Sequence, residues 1–595
     1  MDTQIADNGG NEIDAPGPRT NARERIRNLL VKLYGDRVAP AVFEKVNGLI
    51  CALSNGSPVG ADGPILSSKD VLLISYPDQV RQPGCVPLRT LADFAKQWLT
   101  GIVSAIHVLP FYPWSSDDGF SVKSWFEVAP EYGSWSDFDA FRPDFGLMFD
   151  GVFNHMSSQS DWFKRFLRGD AAFRDFFVTV EGDPDLKAVV RPRTSPLLTE
   201  FAGLKGPVKV WTTFSSDQVD LNFRNPTVLV KAIEAILLYV RHGARFIRLD
   251  AIGFLWKEIG TSCIHLPQTH CIVQLFRAAL DAVAPGTMLI TETNVPHEQN
   301  ISYFGDGTNE AHLVYNFSLP PLVLHALATG NAQRLTDWAR TLSVPSNQTA
   351  FLNFLASHDG IGINPARGIL NEEEITFLVE RSIRHGGFVS YRAAPDGTQA
   401  PYELNINYLD ALSDPGAAEP HHIVARKFLT AESIMLSFQG VPAIYFHSLF
   451  GSRGDRAGAE ASGIPRRINR QKLDRGQLES GLRTPSSLRA HIYSAHLHLL
   501  GARRKEPAFA PHAPQAVLDI HPQLFAVLRG KRDSRKRVLC MHNVSSTSLT
   551  FRLPGDILGD FSSARVLWSN GPVPQSALGE PCSLAPWQSV WLSPD

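Results

Sequence analysis

The sequence predicts an α/β protein, a (β/α)8 barrel with a small inserted domain after the third strand and an antiparallel β domain at its C-terminal end. Three observations predict it. Short apolar runs recur about eight times between residues 71 and 446, and stretches of helical spacing lie between them. Polar residues, several of them carboxylates, close those runs at their C-terminal ends, where a barrel opens into a pocket. Past residue 511 the helical spacing gives way to short strand-like runs with turn signals. A doubly wound open sheet is the alternative, but it ordinarily uses fewer units and a Gly-rich turn, which this sequence lacks.

Taken in order, residues 1 to about 20 are rich in Gly, Pro, Asn and Asp without periodicity and are expected to be disordered. Residues 22–33 and 40–50 have helical spacing and complete an N-terminal region, 1–70. The strands then fall at 71–76, 102–109, 147–153, 245–249, 288–291, 314–317, 351–355 and 442–446, with helices such as 88–99, 228–241 and 273–283 between them. The gap from His155 to Asn222 is too long for a βα loop, so an inserted domain is expected over about 156–222. Residues 387–414, rich in Tyr, Asn and Pro, read as a second, irregular insertion. Runs at 524–528, 538–541, 549–553, 564–568 and 590–592 predict the strands of the C-terminal domain, 511–595, so that the catalytic unit spans 71–510.

Composition narrows the function. A formal net charge of −2 and the absence of Lys/Arg blocks argue against nucleic acid and membrane surfaces as partners. No apolar run reaches the roughly 18 residues of a membrane span, and the polar N-terminus has no signal-peptide pattern, so a cytoplasmic protein is expected. Six scattered cysteines without a Cys-x-x-Cys pair read as thiols, not as a disulfide framework or a zinc site.

The chemistry centres on Gly243-Ala-Arg-Phe-Ile-Arg-Leu-Asp-Ala-Ile-Gly253. Arg248 and Asp250, two residues apart on a strand, project to one face. There the guanidinium can keep the carboxylate ionised and aimed, as a nucleophile requires. Alone, such a pair is as readily a structural cap. Other strand ends supply Asp150, Asn154 and His155, then Glu292, then His358 and Asp359. Three carboxylates with His and Arg in one pocket suit glycoside chemistry: one attacks the anomeric carbon, one donates a proton to the leaving oxygen, one stabilises positive charge. A metal site is the competing reading, but no His-x-x-x-His or Asp-x-Asp run is present, and neither metal nor organic cofactor is expected.

Asp150-x-x-x-Asn154-His155, Arg248-x-Asp250, Glu292 and Phe354-x-x-x-His358-Asp359 resemble, in order, the four signature regions of the α-amylase superfamily, glycoside hydrolase family 13. The resemblance implies Asp250 as nucleophile, Glu292 as general acid/base and Asp359 as transition-state stabiliser, with Arg248, His155 and His358 holding a glucose unit. Pro110-Phe-Tyr-Pro-Trp-Ser-Ser-Asp-Asp-Gly-Phe120, Gln218-Val-Asp-Leu221, Tyr402-Glu-Leu-Asn-Ile-Asn-Tyr408 and Arg466-Arg-Ile-Asn-Arg470 resemble the sucrose phosphorylase branch. By position, Asp117 and Arg466 would close around the non-reacting hydroxyls, with Phe120 as an aromatic wall. Where sucrose-active members carry a His two residues after the acid, this sequence has Asn294. The segments around Trp256-Lys-Glu and Thr293-Asn-Val-Pro-His297 resemble glucosylglycerate phosphorylases most, glucosylglycerol phosphorylases next.

The expectation is thus a retaining α-glucoside phosphorylase working on small molecules: an α-glucoside, phosphate, glucose 1-phosphate and glycerate, with a homodimer left open. Arg191 and Arg193, with Asn294, Tyr402 and Glu403, are the candidates for binding phosphate and acceptor. Glu403 argues against an anionic acceptor if it faces the pocket, and the arginines argue for one. A hydrolase or transglucosidase with the same carboxylates is the rival enzyme, and a sugar-binding barrel without chemistry the rival outside enzymes.

Overall fold

Eight parallel strands close into a barrel in the computed structural model, which describes residues 18–54, 66–393, 398–531, 536–561, 564–572 and 581–594. The strands are β1 (Leu72–Ser75), β2 (Ala105–Val108), β3 (Gly146–Gly151), β4 (Ala244–Leu249), β5 (Met288–Thr291), β6 (Leu313–Tyr315), β7 (Ala350–Asn353) and β8 (Val441–Tyr445). Each pairs with its sequence neighbour, and β8 returns to β1 through Ala443 opposite Leu72. Almost every strand position is buried, because helices cover the outside while side chains fill the inside. That is why the strands read as continuous apolar runs rather than as alternation. All eight expected strands are barrel strands.

Helices Pro226–Arg241 and Pro267–Val283 each begin with Pro in the first turn, where a missing N–H costs nothing. The helical region at the N-terminus, Pro18–Ser54, is two helices that meet in a kink at Gly35, whose φ of 74° favours a residue without Cβ. It lies on the barrel's outer helices: Arg25 pairs with Asp281 at 3.0 Å, and the Tyr34 hydroxyl donates to the Phe223 carbonyl at 2.9 Å. Residues 1–17 of the expected disordered tail lie outside the described residues.

Between β3 and β4 the chain forms the short ladder His155–Ser157 with Gln218–Asp220 and the hairpin Leu198–Gly203 with Gly206–Trp211. The insertion at 387–414 is more regular than expected. Phe388–Ala393 and Gln399–Asn405 form an antiparallel hairpin, and Ile361–Gly362 adds a third strand. Its β-branched and aromatic residues fit a half-buried sheet.

The C-terminal antiparallel sheet has β9 (Gln515–His521), β10 (Leu524–Arg529), β11 (Val538–Asn543), β12 (Arg565–Ser569) and β13 (Ser589–Ser593) in the order β9-β10-β11-β13-β12. One face (Phe525, Val527, Cys540, Trp591) joins the barrel's core, and the other (Leu524, Ala526, Leu539, Val590) forms a separate core. Among the described residues no helix is long and apolar enough to cross a membrane.

Candidate active site

Barrel closure brings the strand ends together. Asp250 and Glu292 each follow the last residue of their strand, and their backbones still belong to the ladder. The Asp250 N–H donates to the Gly151 carbonyl and the Glu292 N–H to the Leu249 carbonyl, both at 3.1 Å. Arg248, at the end of β4, is 3 % exposed. Its Nη1 donates to Asp250 Oδ1 at 2.7 Å and to Asp150 Oδ1 at 2.6 Å, while its Nη2 lies 3.8 Å from Glu292 Oε2. The other Asp150 oxygen lies 2.7 Å from His107 Nε2, and both side chains are fully buried. Asp150 therefore fixes Arg248 from behind, and Arg248 aims Asp250. Ala251, left-handed with φ 48°, turns its N–H onto Glu292 Oε2 at 2.9 Å.

These contacts separate the two carboxyls. Burial raises both, and Arg248 opposes it. Burial, reinforced by the Asp250 charge, pushes Glu292 up to about 7. A proton shared by the pair belongs on Glu292, because the short charge-assisted bond from Arg248 goes to Asp250. Burial would also raise Asp359, but the Arg466 and Arg470 guanidinium groups overcome it and hold that carboxylate well below the usual range. One protonated carboxyl, one aimed carboxylate and one permanently ionised carboxylate around one cavity can split a glycosyl displacement into two steps.

The pocket holding these groups encloses about 900 Å³, its open mouth included. Phe120 lies face to face with His358, ring centroids 4.8 Å apart, and burial keeps His358 neutral. His155 Nε2 lies 3.1 Å from the Phe120 carbonyl and 3.3 Å from Gln218 Nε2. The inner end is closed by ion pairs. Arg470 contacts Asp117 at 3.1 Å, Asp118 at 3.0 Å and Asp359 at 3.3 Å, and Arg467 reaches Asp118 at 2.7 Å. Burial would raise Asp118, yet Arg467 and Arg470 bring it down to about 2. A second groove, lined by Tyr76, Asp118, Arg467 and Arg470, lies on the far side of this partition.

Asp117, Asp118 and Gly119 have φ of 52°, 47° and 114° in succession. Left-handed non-glycine residues cost on the order of 1–3 kcal/mol each and persist only where the surroundings hold them. Here the arginines of 467–470 do so. At Gly119 a Cβ would sit 2.8 Å from the Pro110 carbonyl oxygen, so no other residue fits.

At the mouth, Val190 to Arg193, Phe214, Asn294, Asn364, Arg392 and Tyr402 line the pocket. The Arg193 guanidinium lies 5.4 Å from the Tyr402 ring centroid and 5.8 Å from that of Phe214. Arg191 donates to the Ser195 carbonyl. Among the described residues neither arginine has a carboxylate partner, and no group of three or more His, Cys, Asp or Glu is placed to hold a metal ion.

Comparison with known proteins agrees with this geometry. Residues 98–363 match the alpha amylase catalytic domain family. A glucosylglycerate phosphorylase of Allomeiothermus silvanus is 50 % identical over 88 % of this chain and 93 % of its own length. The chain belongs to the α-amylase family, glycoside hydrolase family 13. A glucosylglycerate phosphorylase of Spirochaeta thermophila is 46 % identical over 96 % of this chain and 98 % of its own. Among solved structures, sucrose 6F-phosphate phosphorylase from Thermoanaerobacter thermosaccharolyticum superposes with a TM-score of 0.70 at 24 % identity, covering 82 % of this chain and 96 % of that one, which speaks for the fold.

Within this family 13 site, Asp250, Glu292, Asp359, Asp117, Phe120, His155, His358, Arg466, Arg193, Asn294 and Tyr402 all line one cavity, with Arg248 directly beneath. One expectation changes. Glu403 does not face the acceptor. It is 1 % exposed, takes two bonds from Arg466 (3.0 and 3.1 Å) and accepts the Gly360 N–H at 2.9 Å. Side chains alternate along a strand, so with Tyr402 turned to the pocket Glu403 turns away. Asp117 and Arg466 both line the cavity, Asp117 paired with Arg470 at 3.1 Å and Arg466 with Asp359 (2.8 Å) and Glu403. Arg470, Gln218 and Arg392 are site residues to which the sequence assigned no role, although Arg466-Arg-Ile-Asn-Arg470 and Gln218-Val-Asp-Leu221 hold the first two. Arg466-x-x-x-Arg470 spacing was the available signal for the first; Arg392 had none.

Proposed function

We propose that this protein is a retaining α-glucoside phosphorylase of glucosylglycerate: 2-O-α-D-glucosyl-D-glycerate and phosphate interconvert with α-D-glucose 1-phosphate and D-glycerate. Asp250 attacks the anomeric carbon while Glu292 protonates the departing glycerate oxygen, leaving a β-glucosyl ester on Asp250. Phosphate then attacks that carbon as Glu292 takes its proton, and the second inversion restores the α configuration. Asp359 stabilises the positive charge that develops on the sugar in both transition states, and Arg248, His155, His358 and Phe120 hold the glucosyl ring.

The observation that carries the choice of a phosphorylase is the acceptor side, where Arg191 and Arg193 flank the reacting carboxyls without a carboxylate to neutralise them. Such a surface favours phosphate and an acid over water and polyols. The names of the relatives at 50 % and 46 % identity support the same reading. With Glu403 taken by Arg466, the one residue that spoke against an anionic acceptor no longer does.

The test supplies α-glucose 1-phosphate as donor and measures phosphate release with D-glycerate, glycerol and fructose. A charge-assisted hydrogen bond contributes about 1.5–3 kcal/mol, so D-glycerate should win by about 10–100-fold in kcat/KM. A preference for glycerol or fructose overturns the acceptor and leaves the phosphorylase; release of glucose at the same rate with and without phosphate overturns the phosphorylase.

A further inference from the structure

The hairpin at the pocket mouth carries a cation that no described residue pairs with. Its register passes from Ser390 opposite Glu403 to Tyr391 opposite Pro401, which leaves Tyr402 as the extra residue of a β-bulge. Bulges re-aim side chains next to active sites, and Tyr402 lines the pocket. Two residues along the facing strand Arg392, opposite Ala400, lines it too.

Arg392 is half-buried, and among the described residues it has no hydrogen-bond or ion-pair partner; its Nε is buried and unbonded. Other cations nearby have contacts of their own. Arg466 is shared by Asp359 and Glu403, and Arg367 is paired with Glu372 at 2.7 Å. Arg193 lies beside two aromatic rings and Arg191 bonds a backbone carbonyl. A guanidinium cannot shed its charge, and leaving one half-buried without an anion is costly. Tyr402, its neighbour on the bulge, offers a hydroxyl but no negative charge at neutral pH.

We infer that Arg392 is a specificity-determining residue that receives the carboxylate of the acid acceptor as it enters or leaves the glucosyl-enzyme. The inference rests on the acid-acceptor reading above and names the residue responsible. The planar fork of Arg392 matches a carboxylate with two parallel bonds, and a neutral polyol cannot repay it. Arg193, beside the Phe214 and Tyr402 rings, remains for phosphate.

The experiment compares wild type, Arg392→Ala and Arg392→Lys with glucose 1-phosphate as donor and D-glycerate or glycerol as acceptor. Arg392→Ala should lower the glycerate-to-glycerol ratio of kcat/KM by about 10–100-fold, chiefly through a raised KM for glycerate, and Arg392→Lys should recover part of it. If Arg392→Ala does not fold, Arg392→Gln is read the same way. An unchanged ratio, or an equal loss on both acceptors as from a disturbed hairpin, overturns the assignment while the acid-acceptor reading stands. A wild type indifferent to glycerate removes that reading, and the assignment with it.

Discussion

Asp250→Asn should fold normally and lose turnover of its glucoside by on the order of 10⁴-fold or more. The expectation follows from the position of Asp250, one residue past β4, with Arg248 Nη1 2.7 Å from its Oδ1. A carboxamide fills the same space but is a poor nucleophile, and its NH2 cannot be stabilised by a guanidinium. Arg248 keeps Asp150 as its second partner at 2.6 Å, so the substitution does not strip a buried cation of all its anions. Circular dichroism and thermal melting check the fold, and single-turnover kinetics check the chemistry. Near-normal turnover in a contaminant-free preparation would remove Asp250 from the nucleophile's role.

Glu292→Gln should separate leaving groups. An alkoxide such as that of glycerate needs a proton as it departs, whereas fluoride does not. Turnover of the glucoside should fall by at least about 10³-fold, and reaction of α-glucosyl fluoride by far less. The same residue sets a pH limb. Glu292, pushed up to about 7, is the acid only while protonated. In wild type, kcat/KM for the glucoside should therefore decline above that pH, approaching tenfold per unit. With α-glucosyl fluoride the limb should vanish. Equal losses on both donors would assign Glu292 to positioning instead.

The physics decides which parts of this could be read from sequence. Barrel strands buried on both faces leave a continuous apolar run, and their order fixes which ends meet. Asp250, Glu292 and Asp359 were legible for that reason: their place depends on the strand just before them. Glu403 was not, because whether it or Tyr402 faces the pocket depends on a bulge and on Arg466, 63 residues away. Arg466 and Arg470 share Asp359, and only the packed turn Pro465–Asn469 sends the first on to Glu403 and the second to Asp117 and Asp118. In the C-terminal sheet the edge strand β9, half-exposed and of mixed polarity, gave no apolar run, and three-residue Cys582–Leu584 was too short to show a period.

The wall formed by Asp117, Asp118, Arg467 and Arg470 bears on polysaccharides. Arg470 is 1 % exposed, and leaving a buried ion unpaired costs about 3–5 kcal/mol, so the closed wall is favoured over an open one by about 10²–10⁴-fold. A glucan has no way to thread past the cleavage point. Only its non-reducing tip can enter, and at most one residue can be removed per visit. Offered maltooligosaccharides with phosphate, the protein should leave them untouched or shorten them one unit at a time. Chromatography of the earliest time points tells the cases apart, since mid-length fragments would require the wall to open.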